Sequence, residues 1–223
     1  MENKITEASV KETFQAKISP VDIGVLYSLM VKRIAKGYST SEVSFLMGYE
    51  DNAIERIEQL QFKELTILDI HHYTNVLEDG LKGVIINNMD RVDDMADYQV
   101  VRTIQRTFIH HEVFEILPDN TACQVFNLFE VNPEYKKRNY STSYEMGIKE
   151  ATEILYSLLE GAVFQSPETP LNIYRRSRRI SGSEFISPAH IQAVLQDMAQ
   201  SKGYPKFKRI KTKQRGCLYE KAF

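Results

Sequence analysis

The residues that could do chemistry in this 223-residue chain are few and scattered. His71-His72 and His110-His111-Glu112 carry metal-ligating side chains. Adjacent histidines point to opposite faces of a strand and diverge by about 100° on a helix, so neither pair chelates alone. Ordinary surface or half-buried histidines are expected. Asp90, Asp93, Asp94 and Asp97 form an acidic run without the glycine and closing glutamate of a calcium-binding loop, so it reads as a solvated loop. Cys123 and Cys217 show neither metal spacing nor a disulfide framework. Cys123 alternates with apolar residues and is expected in a core. Cys217 sits among basic residues with no catalytic partner in view. No Gly-rich phosphate loop, Gly-x-Ser-x-Gly or His-Glu-x-x-His is present. These residues predict no catalytic site, no metal and no cofactor, and hence no enzyme.

Charge is more informative. The net charge of −2 hides an asymmetry. Residues 1–80 hold 8 Lys+Arg against 13 Asp+Glu, and so do residues 81–165. Residues 166–223 hold 12 against 4, a net +8. Basic charge concentrated this way is the footprint of a polyanion contact. The residues that would make it are Arg175, Arg176, Arg178 and Arg179, then Lys206, Lys208, Arg209, Lys211, Lys213 and Arg215. Lysine and arginine at such positions neutralise phosphates and give salt-dependent affinity with little sequence information. The competing reading is a solvated basic face that protects an edge hairpin from aggregation.

The elements that must position these residues follow from periodicity and breakers. Residues 1–18 are polar and read as a loose arm or weak helix. Ser19-Pro20 starts a helix carrying Ile23, Leu26, Tyr27, Met30 and Ile34, which Gly37 stops. Ser39 with Glu42 reads as a capping box opening a helix to Met47, ended by Gly48. A third helix is expected from about Glu50 to Gln59. A fourth is expected from Glu64 to Leu77, carrying Leu65, Leu68 and Tyr73.

From Leu81 the texture changes. Val84-Ile85-Ile86 is β-branched, and Tyr98 to Thr107 fits strand or helix. Val113–Leu117, Pro118-Asp119-Asn120 and Ala122–Val131 read as a β-hairpin whose second strand is apolar on both faces, so a sheet covered on both sides is expected. Helices are then expected around Met146–Leu159, after Thr169-Pro170 and after Ser187-Pro188. Two basic strands close the chain, joined through Lys213–Gly216.

Between Asp22 and Leu77 the sequence resembles the helix-turn-helix of Cro- and phage-repressor-type domains. The run from Gly37 through Ser39, Thr40, Val43, Ser44, Leu46, Met47 and Gly48 is similar to that family's second helix and turn. Glu50 to Glu58 is similar to its recognition helix, and Arg33 matches an arginine placed shortly before the glycine. The resemblance implies that Ser39 and Thr40 touch phosphate and that Asp51 and Asn52 reach base edges. The chain departs from the pattern at Thr40, where the family has glutamine, and at Ser44, where it has alanine. Glu50, Asp51 and Glu55 also make the recognition face acidic, which phosphates repel. The order helix, helix, basic hairpin in residues 142–223 resembles a winged helix, with Pro188–Ser201 as recognition helix and Lys213–Gly216 as wing tip.

The expectation is therefore an α+β, mostly helical chain. Its parts are a polar arm (1–18), a Cro-like helix-turn-helix domain (19–80), a central β-containing region (81–140) and a C-terminal helical domain with a basic winged-helix-like hairpin (141–223). The expected function is a DNA-binding transcriptional regulator on double-stranded DNA, acting as a homodimer on paired half-sites. The alternative is a protein-interaction or assembly module whose helix-turn-helix presents an acidic face. No apolar run approaches a membrane span, and no secretory h-region opens the chain, so a cytoplasmic setting is expected.

Overall fold

The computed structural model describes residues 9–61, 65–80, 94–139, 141–161, 163–182, 186–204, 206–212 and 216–222. The fold is α+β, about half helical and about a quarter strand. By packing, the chain divides into two units, Met1–Ser39 with Glu55–Asn139, and Thr40–Ile54 with Tyr140–Phe223. The segment 19–80, expected as one domain, contributes to both.

The first unit is built on a four-stranded antiparallel sheet in the order β1 (Val10–Ile18), β2 (Ala96–Ile104), β3 (Phe108–Ile116), β4 (Ala122–Val131). The first strand corrects the expected arm or weak helix. Its period-2 pattern sends Phe14, Ala16 and Ile18 inward beneath exposed Lys11, Thr13, Gln15 and Lys17. Helix α1 (Pro20–Lys36) starts as its residues dictate. The Ser19 hydroxyl accepts from the Val21 N–H at 3.2 Å, and Gly37 closes it at φ 74°. Ile23, Leu26 and Met30 of α1 pack on Tyr98, Val100, Val113 and Phe126 of the sheet. Each such fully buried side chain contributes about 1.5–3 kcal/mol of burial free energy. Leu60 and Ile57 join this core.

The β3–β4 hairpin forms where expected, and residues 98–104 of the ambiguous stretch are strand. The expectation of two covered faces is not met along β4. Cys123, Val125, Phe129 and Val131 are exposed, so Cys123 is not a core residue. Helix α4 (Ile67–Val76) buries Tyr73 but leaves Leu68 exposed, because the stripe facing the unit runs through Tyr73, Thr74 and Val76. Helix α5 (Pro133–Asn139) follows the sheet. Val84-Ile85-Ile86 and Asp90–Asp93 lie outside the described residues.

The second unit contains α2 (Thr40–Leu46), α6 (Ser141–Glu160), a 3-10 turn (Val163–Gln165), α7 (Pro170–Ser181), α8 (Pro188–Gln200) and the hairpin β5 (Phe207–Thr212) with β6 (Gly216–Lys221). Helix α6 packs on α7 and α8, α2 on the same two helices, and β5 on α8. Two glycines set close approaches. A Cβ on Gly147 of α6 would lie 2.3 Å from the imidazole of buried His190. A Cβ on Gly216, at φ 66°, would lie 2.4 Å from the carbonyl oxygen of Gly48. Backbone geometry requires glycine at Gly216, and a side chain at Gly147 would have to displace the His190 ring. Helix α3 (Ala53–Glu58) straddles the division between the units, and only its first two residues belong here.

Candidate nucleic-acid interface

In the second unit the order is helix α6, an extended residue at Glu168, helices α7 and α8, then the hairpin. Glu168 exchanges two backbone hydrogen bonds with Tyr219 of β6, at 2.8 and 2.9 Å. The hairpin is thereby extended by a third, one-residue strand. Phe207, Cys217 and Tyr219 are buried on one face of the hairpin and Leu218 on the other, and Phe207 meets Phe164 edge-on at 4.6 Å. Its other fixing point is the turn after α2, where the Cys217 N–H donates to the Gly48 carbonyl at 2.7 Å.

The basic residues line the outside of this framework. Helix α7 buries Ile173, Tyr174 and Ser177, which turns Arg176 and Arg179 to solvent and leaves Arg175 and Arg178 half-buried. Arg178 lies over the Tyr174 ring, 5.7 Å from its centroid, and Arg176 reaches Glu168 at 3.5 Å. On β5, Lys208, Arg209 and Lys211 are exposed and Lys206 is half-buried. Lys208 meets Glu220 at 3.2 Å, and the Arg209 Nε–H donates to Cys217 Sγ at 3.1 Å. Ion pairs this exposed are worth about 0–1 kcal/mol. Lys213 and Arg215 lie outside the described residues.

The N-terminal motif is placed differently from what the sequence suggested. Thr40 opens α2, and Ser39 precedes it in the other unit. Asp51 and Asn52 do not sit on the third helix. That helix begins at Ala53, and the Ala53 N–H closes a turn onto the Glu50 carbonyl at 2.9 Å. Two of the acidic side chains are engaged within the second unit. Asp51 Oδ1 accepts from Gln192 of α8 at 3.0 Å, and Glu50 lies 3.6 Å from Lys211. Glu55 belongs to the first unit, where it accepts from Arg102 at 2.7 Å. Ser44, the departure from the family's alanine, has a local use. Its buried hydroxyl donates to the Thr40 carbonyl at 2.8 Å and accepts the Ile54 N–H at 3.0 Å, tying α2 to the start of α3.

The first unit holds a buried ionic cluster at the other motif residues. Arg33 has no exposed side-chain area. It meets Glu58 through two parallel bonds, Nε to Oε1 at 2.6 Å and Nη2 to Oε2 at 2.8 Å. Its Nη1 donates to Glu130 at 2.6 Å and to the Tyr38 carbonyl at 2.9 Å. The remaining Glu130 oxygen lies 2.8 Å from His111 Nε2. Burial pushes the Glu130 carboxyl up, but the His111 hydrogen bond and then the Arg33 charge outweigh it and hold the pKa at about 2. Burial, reinforced by Glu58, pushes the Tyr73 hydroxyl well up from its ordinary value. Arg33 and the two carboxylates answer one another within the cluster, whereas the buried Nδ1 of His111 has no hydrogen-bond partner among the described residues. His110 takes the opposite face, stacked on Phe129 at 4.0 Å, as strand alternation requires. Among the described residues, no three His, Cys, Asp or Glu side chains are grouped to hold a metal.

One feature was missed at the level of sequence. Helix α8 buries Pro188, His190, Ile191, Val194, Leu195 and Met198. Its other side carries Gln192, Gln196 and Gln200, one turn apart. The i, i+4, i+8 spacing is present in the sequence, but neutral amides leave no trace in the charge pattern. No protein-family model, curated protein or solved structure matches this chain.

Proposed function

We propose that the chain is a DNA-binding transcriptional regulator whose contact with DNA is made by its second unit, used as a winged helix. The observation that carries the reading is the framework of that unit. Helices α7 and α8 and the β5–β6 hairpin follow one another in the order helix, helix, basic hairpin that resembles a winged helix, and Glu168, paired with Tyr219, ties the segment before α7 to the hairpin. Arg176 and Arg179 of α7 and Lys208 and Lys211 of β5 are exposed on it. The reading gives them the role of neutralising phosphates. Gln192 and Gln196 of α8 have the side-chain type that pairs with adenine in a major groove.

For the Cro-like segment the proposal is narrower. The Arg33–Glu58 pair joins two positions of the family motif, which supports the resemblance as a folding framework. A helix of six residues, with Asp51 and Asn52 before its start, offers little to a groove.

A second reading is favoured by one observation. Glu50 and Asp51 face Lys211 and Gln192, so acidic groups partly offset the basic hairpin. A protein-interaction module would use this mixed surface. Fluorescence-polarisation titration with random duplex DNA separates the two. The regulator reading expects binding that Arg176→Ala, Arg179→Ala and Lys211→Ala together weaken and Asn52→Ala leaves alone. Loss on Asn52→Ala alone would return the interface to the N-terminal motif. No binding by the wild-type protein at low salt leaves the interaction module.

A further inference from the structure

The two edges of the four-stranded sheet are unequal. The β1 edge carries exposed Lys11 and Lys17, the device that keeps sheet edges apart. The β4 edge carries nothing comparable. Its exposed residues are Ala122, Cys123, Gln124, Val125, Asn127, Phe129 and Val131, with Val125, Phe129 and Val131 exposed by 45%, 57% and 59%. Its one charge, Glu130, is turned inward to Arg33 and His111. A bulge opposite Val113 and Phe114 interrupts the strand near Val125. Phe126 to Val131 runs on without interruption, pairing through Val113 to Phe108 of β3. Among the described residues, no backbone group outside β3 bonds to it.

We propose that this stretch of β4 is a homodimer seam, occupied by the same strand of a second copy in antiparallel register. Charge decides the occupant. A strand whose only carboxylate is consumed inside its own unit meets its own copy with no like charges opposed, whereas a basic or acidic partner would find nothing to pair with. An antiparallel pair of identical strands is self-complementary about a two-fold axis, the symmetry of the commonest dimers. Centred near Phe129, the seam sets the two Phe129 side chains together and Val131 beside Asn127 of the second copy. The continuous sheet would have eight strands, with the lysine-bearing β1 edges outermost. This inference does not rest on DNA binding.

Sedimentation equilibrium of the full chain at micromolar concentration tests it. The expected mass is twice 25.8 kDa. Phe129→Lys with Val131→Lys should reduce it to one chain with an unchanged circular-dichroism spectrum, while Thr13→Lys with Gln15→Lys on the β1 edge should leave the dimer intact. A monomeric wild-type protein, or a dimer that survives the β4 lysines, overturns the proposal. If the β4 variant loses its fold, Asn127→Lys alone, at an exposed position, repeats the test.

Discussion

Replacing Arg33 with alanine removes the guanidinium shared by two buried carboxylates, Glu58 with 3% and Glu130 with 9% of its side chain exposed. Breaking a buried pair by removing one partner costs about 3–5 kcal/mol, because the charge left behind stays desolvated. Against a typical total stability of about 5–15 kcal/mol, that is a large fraction. The pH dependence makes the prediction specific. In the wild-type protein the Glu130 pKa lies at about 2, below the usual 4.5. A depressed carboxylate adds stability above its unfolded pKa and loses it as pH falls through the folded value. About 3 kcal/mol should therefore disappear between roughly pH 4.5 and pH 2. Without Arg33, Glu130 keeps its His111 hydrogen bond but loses the Arg33 charge, so its carboxyl moves up from about 2 toward its ordinary value. Arg33→Ala should therefore lose less stability than the wild type as pH falls from roughly 4.5 to 2. Urea unfolding followed by circular dichroism at pH 7, 4.5 and 3 measures both. A loss under about 1 kcal/mol with the wild-type pH profile would refute the account of the cluster.

Two further outcomes follow from packing. Gly147→Ala should destabilise the protein by about 1–3 kcal/mol through its clash with His190, although alanine is the better helix former by about 1 kcal/mol. The loss should shrink in a His190→Ala background, read by thermal melting. In native protein, Cys123 should react with a thiol reagent at once and Cys217 only on unfolding, because one thiol is exposed and the other buried.

Much of the fold was legible where breakers and caps act locally. Ser19-Pro20 and Gly37 bound α1, Thr169-Pro170 starts α7 and Ser187-Pro188 starts α8 because these residues set backbone geometry by themselves. Strand β1 was not read, since only its alternate residues are apolar and its partner lies about 90 residues away in sequence. The exposure of Cys123 and Phe129 was equally hidden, because alternation does not say which face is covered. At the interface, basic composition located α7 and β5. It could not show that Asp51 and Glu50 fold back onto α8 and the hairpin, which depends on contacts more than 140 residues apart.

The central claim is that the second unit binds duplex DNA, and a salt titration tests it most directly. If Arg176, Arg179, Lys208 and Lys211 each neutralise one phosphate, log affinity should fall with log salt at a slope of about −3.6, close to a hundredfold loss between 50 and 200 mM. The account predicts random-duplex binding at 50 mM salt with that steep decline. Absence of binding at 50 mM salt, or an affinity indifferent to salt, would contradict it.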